Sequence, residues 1–299
     1  MSERGWITAN IGTAAFEQLA SRISGAELQS LLLEVVRCRA GGRTPAQLLA
    51  QYRRDPYCAP GEADLRTSLE IDRHLLQAAE EFEAIELSPV TPLGSASVVG
   101  LTSQNRVLSA LRGTEVVSDP TNVLALECAR RLREGGGEVV HLATSQRVVR
   151  AQPVPKLPGY AQHFRMFALA SGGLEAQDHA FTVETVVLHV RAVLRGLHLL
   201  EEHGYTFGRP RVEILSTPER RSLGDRIADQ LGTSRRKPLQ HPYYSGGLRY
   251  QVWVTPPDGP ELPLMDGGTF DWLAKLAANR RAVFVATGLG AQLIALRFR

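Results

Sequence analysis

The segment from Gln146 to Gly173 constrains the fold more than any other part of the chain. Two strand-like stretches, one carrying Val149-Arg150-Ala151-Gln152 and the other His163-Phe164-Arg165-Met166-Phe167, flank a loop rich in proline and glycine. A connection this short returns the chain beside itself, so the pair reads as antiparallel. An arginine on a strand entering a site can hold a phosphate through two parallel hydrogen bonds. His163 and Phe167, four residues apart on the return strand, are expected to touch more phosphate and to cover a purine. Arg147 lies three residues before Arg150 and therefore points to the other face. The segment reads as a nucleotide cradle, with Arg150 as the residue that carries any chemistry.

The rest of the chain supplies material for a large mixed domain. Its 299 residues are 43% hydrophobic, enough for a sizeable core. The net charge of +3 comes from arginines spread along the sequence, so electrostatics alone hardly favour nucleic acid. Cys38, Cys58 and Cys128 form no Cys-x-x-Cys pair, which argues against a disulfide framework or a zinc site and fits a cytoplasmic protein. The histidines show no metal-ligand spacing, and no Gly-x-Ser-x-Gly elbow is present, so neither a metal site nor a serine triad is expected. No apolar run reaches the roughly 18 residues of a membrane span, so no membrane association is expected.

Periodicity divides the chain into a helical extension over residues 1–84 and a core over 85–299. Helices are expected at Ala14 to Ile23, Ala26 to Arg37, Gln47 to Arg53 after a Thr44-Pro45 start, and Asp64 to Phe82. Asp119-Pro120 starts a further helix that Gly135-Gly136-Gly137 stops. Glu138 to Leu142 and Gln146 to Ala151 read as separate strands. The clearest helix runs from Phe181 to His203, with Val183, Val186, Val187, Val190, Leu194 and Leu197 on one stripe. With the strand at Arg211 to Leu215 and a helix opened by Thr217-Pro218-Glu219, it reads as a small insertion at about 178–232. Leu248, Tyr250, Val252 and Val254 alternate into a hairpin turned by Pro256 to Gly259. A helix at Phe270 to Ala277, a strand at Ala282 to Ala286 and a helix at Gly288 to Phe298 complete the pattern.

Four segments in order resemble the class II aminoacyl-tRNA synthetases, histidyl branch. Arg150-x-Gln152, loop, His163-x-x-x-Phe167 resembles motif 2. Gln240-His241-Pro242-Tyr243-Tyr244-Ser245-Gly246 is similar to the histidine-recognition Gly-Leu-Asp-Tyr-Tyr-Thr-Gly. Gly267-Gly268-Thr269-Phe270-Asp271-Trp272-Leu273 is similar to Gly-Gly-Arg-Tyr-Asp-Gly-Leu, and Ala286 to Leu293 lies where motif 3 runs from strand to helix. The resemblance covers roughly residues 80 to 299. It implies an α+β fold with an antiparallel sheet flanked by helices, and a homodimer paired through motif 1 near Pro89 to Leu93.

For the site, the resemblance implies ATP held by Arg150 on its α-phosphate, His163 on its γ-phosphate and Phe167 on adenine. Tyr243, Tyr244, Gly246, Gly267 and Gly268 line the amino-acid pocket. Thr121 joins them because Asp119-Pro120-Thr121 falls near the family's Arg-Pro-Glu-x-Thr.

The departures set the expected activity. Gln152 replaces the motif 2 acid, Ser171-Gly172-Gly173 supplies no carboxylate, and Gly290, Ala291 and Gln292 stand where motif 3 has an arginine. Their absence speaks against Mg²⁺ and strong adenylation, and no anticodon-binding domain is expected after motif 3. The expectation is a divergent synthetase-like protein that binds a nucleotide, an amino acid or both, with weak or no tRNA charging, in the manner of a regulatory paralogue with a protein partner. Its rivals are an enzyme adenylating an amino acid for a non-tRNA acceptor, and an RNA-associated protein whose binding falls steeply with salt.

Overall fold

The computed structural model describes residues 3–135, 138–233 and 235–299. The chain opens on helices α1 (Glu3–Ile11), α2 (Thr13–Glu17), α3 (Gly25–Gly41), α4 (Pro45–Arg54) and α5 (Leu65–Ala78). The helix expected from Ala14 to Ile23 is α2 continued by a π-helical turn over Gln18–Arg22. Helices α3 and α4 each begin on a capping box, Ser24 with Glu27 and Thr44 with Gln47, which satisfies end N–H groups locally. Helices α2, α3 and α4 bury no residue, whereas α5 buries Ile71, Asp72, His74, Leu75 and Ala78. By burial α5 belongs to the body, although it precedes residue 85.

The body is built on one sheet. Its strands are β1 (Glu83–Ala84), then after a small separate sheet of β2 (Val90–Pro92), β3 (Ser109–Ala110) and β4 (Thr114–Val116), the strands β5 (Val140–Val149), β6 (His163–Leu174), β7 (Arg211–Ser216), β8 (Arg236–Pro238), β9 (Leu248–Val254), β10 (Leu262–Phe270) and β11 (Ala282–Leu289). The order in the large sheet is β1-β5-β6-β11-β10-β9-β7-β8, antiparallel except at its two edges, where β1 runs parallel to β5 and β8 to β7. The two strands expected over 138–151 are one, because Ala143 to Gln146 pair without a break against β6. Gly136 and Gly137, part of the expected helix stop, lie outside the described residues.

The interposed helices are α6 (Pro120–Glu134), α7 (Ala180–Glu201), α8 (Arg221–Gln230), α9 (Trp272–Leu276) and α10 (Ala291–Arg297). Residues 178–232, expected as an insertion, place α7 against α5 and β7 inside the sheet beside β9. They are part of the main layer.

Helices cover both faces of this sheet. On the far face α5, α7 and α10 close over Phe167, Leu169, Tyr250, Val252 and Val285. On the near face α6 and α9 close over Ala168, Ala170, Phe270, Phe284 and Trp272. Strand alternation feeds both cores: Phe167 and Leu169 go one way, Ala168 and Ala170 the other. Helix α6 approaches β6 closely because Gly172 has no side chain there; a Cβ on it would lie 2.9 Å from Leu273 and 3.0 Å from Cys128. No helix among the described residues is long and apolar enough to cross a membrane.

Candidate functional site

Register decides which motif residues meet. Val149 stands opposite His163, and the next amide, of Arg150, donates to Gln162 O at 2.8 Å. Directly opposed residues share a face, so Arg150 joins Phe164 and Met166 on the near face. There its Nε donates to Ser118 O at 3.0 Å, its guanidinium lies 3.6 Å from Asp119 Oδ2, and its carbon sits 5.1 Å from the Phe164 ring centroid. The interaction with the ring is of cation–π type.

The same alternation removes His163 and Phe167 from this site. Phe167 is 1% exposed and belongs to the far-face core under α7. His163 is also on the far face, where Nε2 donates to Ala59 O at 2.7 Å and Nδ1 accepts from Arg147 at 2.7 Å. The carbonyl can only accept, which fixes this tautomer. Neither residue can serve beside Arg150 as the resemblance implied. The aromatic that does stand beside Arg150 is Phe164.

The opposite wall comes from the β9–β10 hairpin. Asp266 on β10 accepts two hydrogen bonds from Arg249 on β9, at 2.9 and 2.5 Å, and a third from the Tyr244 phenol at 2.8 Å. The Arg249 guanidinium also lies 5.0 Å from the Tyr244 ring centroid. Tyr244 can rest on the strand because residue 268 is glycine; a Cβ there would come within 2.3 Å of its ring. Tyr243 packs edge-on to Tyr244 and Phe270. Burial, then the nearby Asp119, pushes the Tyr243 phenol well up; burial, then Asp266, does the same for Tyr244. Both phenols therefore remain protonated donors near neutrality.

These walls enclose a cavity of about 300 Å³. Arg106, Asp119, Thr121, Arg150, Asp266, Tyr243 and Tyr244 line it, with Gly267, Phe270 and Gly288. Thr121 is held by Asp119, whose Oδ1 accepts from the Thr121 amide at 3.0 Å and hydroxyl at 2.8 Å. Of the expected pocket glycines, Gly267 lines the cavity and Gly268 seats Tyr244. Gly246 instead packs on Thr269 and borders a neighbouring depression with His241 and Arg220. A second, mostly apolar slot of about 280 Å³ adjoins the cavity and shares Arg150, Gln152, Met166 and Gly288 with it. Phe164, Val154, Leu264 and Leu293 line the slot. No three His, Cys, Asp or Glu side chains among the described residues group as metal ligands.

Sequence reasoning missed Asp266, Arg106, Phe164 and the carboxylate role of Asp119. Asp266 was legible in one respect: it directly precedes Gly267-Gly268, and hairpin pairing brings Arg249 beside it.

No protein-family model matches this sequence, and no curated protein matches it. Solved structures do. An ATP phosphoribosyltransferase regulatory subunit/histidyl-tRNA synthetase from Bacillus halodurans superposes with a TM-score of 0.58 at 14% identity, covering 77% of this chain and 78% of that one. The chain has the class II synthetase fold. A histidine–tRNA ligase subunit from Alicyclobacillus acidocaldarius gives 0.59 at 13% identity over 81% and 96% of the two chains. A pyrrolysyl tRNA synthetase from Desulfitobacterium hafniense gives 0.50 at 13% over 83% and 71%. In this class II frame, Gln292 of α10 stands where the resemblance implies an arginine. It is 3% exposed, and its buried Oε1 has no hydrogen-bond partner.

Proposed function

We propose that the near-face cavity binds a small zwitterion of the amino-acid class, and that the protein is a divergent synthetase-like binding protein of regulatory type with weak or no tRNA charging. One observation carries this reading: Asp119 and Arg150 present opposite charges 3.6 Å apart in a cavity walled by Tyr243, Tyr244 and Phe270. An ammonium group fits against Asp119 and the Tyr243 phenol, and a carboxylate fits the Arg150 fork. Asp266 is engaged by two short hydrogen bonds from Arg249 and one from the Tyr244 phenol, so it shapes the wall, whereas Asp119 meets Arg150 only at 3.6 Å and keeps Oδ2 for an ammonium group. The volume suits a ligand of amino-acid size.

Arg150 borders both cavities, which favours a nucleotide as a second ligand. Phe164 and the apolar slot would hold the base, and Arg150 would meet a phosphate; ATP would supply an adenylyl group to a carboxylate, with pyrophosphate leaving. The residues do not fit Mg²⁺, because Gln152 is neutral and no three His, Cys, Asp or Glu side chains among the described residues converge there. An enzyme that adenylates an amino acid for a non-tRNA acceptor is the alternative consistent with this shared arginine.

Thermal stabilisation across the twenty amino acids and a nucleotide panel tests the reading, since a ligand at 100 times its Kd adds about 2.7 kcal/mol to the folded state. At least one amino acid should raise Tm; a panel without one would sink the proposal. Amino-acid-dependent exchange of pyrophosphate into ATP, lost in Arg150→Ala, would decide for the enzyme.

A further inference from the structure

Arg106 lines the near-face cavity with a charge that no carboxylate of the protein answers. It closes a short 3-10 turn over Gln104–Arg106. The turn is fastened to the body: the Gln104 side chain donates to Glu115 at 2.7 Å and accepts from Ser97 at 2.9 Å, and the Arg106 carbonyl accepts from the Ala151 amide at 2.9 Å. Arg106 is exposed and, among the described residues, its guanidinium forms no ion pair and no hydrogen bond.

Ser118 supplies a second unused donor. It lines the same cavity and is 8% exposed, yet its hydroxyl has no partner among the described residues. A hydroxyl so little exposed gains by meeting an acceptor on a ligand. The Ser118 carbonyl accepts from Arg150 Nε and the Arg106 carbonyl from the next residue's amide, so both residues are gathered around the same end of β5.

The charges open to a ligand are therefore unequal. Asp266 is held by Arg249 and the Tyr244 phenol. Asp119 remains on the acidic side, and Arg150 and Arg106 on the basic side. A zwitterion with a neutral side chain answers Asp119 and Arg150 and leaves Arg106 uncompensated. A cationic side chain would meet Arg106 as a like charge. A ligand with one cation and two anions completes the set, and complementarity of this kind contributes mainly to specificity. Carboxylate and phosphate both match the planar fork of a guanidinium.

On the reading that this cavity takes a zwitterion, we infer that its ligand is an amino acid with an anionic side chain, and that Arg106 selects it. Titration calorimetry on the full chain compares glutamate with glutamine, aspartate with asparagine, and O-phosphoserine with serine. At least one anionic member should bind ~10-fold or more tighter than its neutral counterpart, as a hydrogen bond between charged groups allows. Which pair shows the gap separates carboxylate from phosphate. Arg106→Gln, at an exposed position, should leave Tm and the affinity for the neutral member unchanged while the gap closes; Arg106→Lys should keep part of it. Neutral members that bind as tightly as anionic ones would overturn the inference and leave the zwitterion reading standing. A gap that persists in Arg106→Gln would overturn the role of Arg106, as would a variant that loses only its stabilisation by ATP, which would assign Arg106 to phosphates. If no amino acid binds at all, the zwitterion reading and the inference fall together.

Discussion

Arg150 and Phe164 face each other across the β5–β6 pair, with the guanidinium carbon 5.1 Å from the ring centroid. Phe167, three residues further along the same strand, points into the opposite core. The two phenylalanines should therefore respond to truncation in opposite ways. Phe167→Ala should lower stability by about 3–5 kcal/mol in chemical denaturation, as for any large side chain removed from a packed interior. It should leave ligand affinity of the folded fraction unchanged. Phe164→Ala, at a half-buried position, should cost stability less and abolish nucleotide-dependent stabilisation, given that stacking on a base is worth roughly 1–3 kcal/mol.

That contrast also shows what could be read in advance. The helical arm, the antiparallel sheet and the order of the motifs were legible because amphipathic period, caps and turn residues are local. The faces of Arg150, His163 and Phe167 were not, because they depend on how β5 and β6 slide past one another across the connection over residues 150–162, and a slip of one residue exchanges every side chain between faces. Asp266 escaped for a related reason: its significance lies in Arg249 and Tyr244, which reach it only through the hairpin. Strand β7 looked like part of an insertion because its partner β9 follows more than thirty residues later.

Gly268 tests the seat of Tyr244. Gly268→Ala places a methyl group 2.3 Å from the Tyr244 ring and 2.6 Å from Leu248 O. The ring must move, so stability should fall by about 1–3 kcal/mol and amino-acid binding should weaken together with it. An alanine variant with unchanged Tm and ligand response would show that Tyr244 does not form the wall.

Asp266→Asn should separate wall structure from ligand charge. It leaves the half-buried Arg249 without its carboxylate, which should cost about 1–3 kcal/mol in urea denaturation. Because Asp266 is already paired, the zwitterion preference should survive in this variant, whereas Asp119→Asn should lose it.

Stability should fall in mild acid. His189 is wholly buried between Ser171 Oγ and Thr287 Oγ1, each at 2.8 Å, in a chain that continues to Tyr250 and His141. Burial, then His141, holds its pKa well below the usual 6.5, and burial likewise lowers His141 and His74. The folded state thus binds fewer protons than the unfolded one below about pH 6.5, so the contribution is complete above that pH and is lost as pH falls through and below it. His189→Gln should flatten the pH profile of the unfolding free energy between pH 6.5 and 5 by up to about 1.4 kcal/mol per pH unit. A wild-type profile that is flat in this range would contradict the buried neutral histidine.

Titration calorimetry with chemically blocked ligands tests the account most directly. The amino acid that raises Tm is compared with its methyl ester, which has lost the carboxylate charge, and its N-acetyl form, which has lost the ammonium charge. Affinity should drop at least ~10-fold for each, about 1.4 kcal/mol. Arg150→Ala should no longer distinguish the ester, nor Asp119→Asn the N-acetyl form. Equal binding of free and blocked ligands, or discrimination that persists in both variants, would show that the Asp119–Arg150 pair does not read a zwitterion.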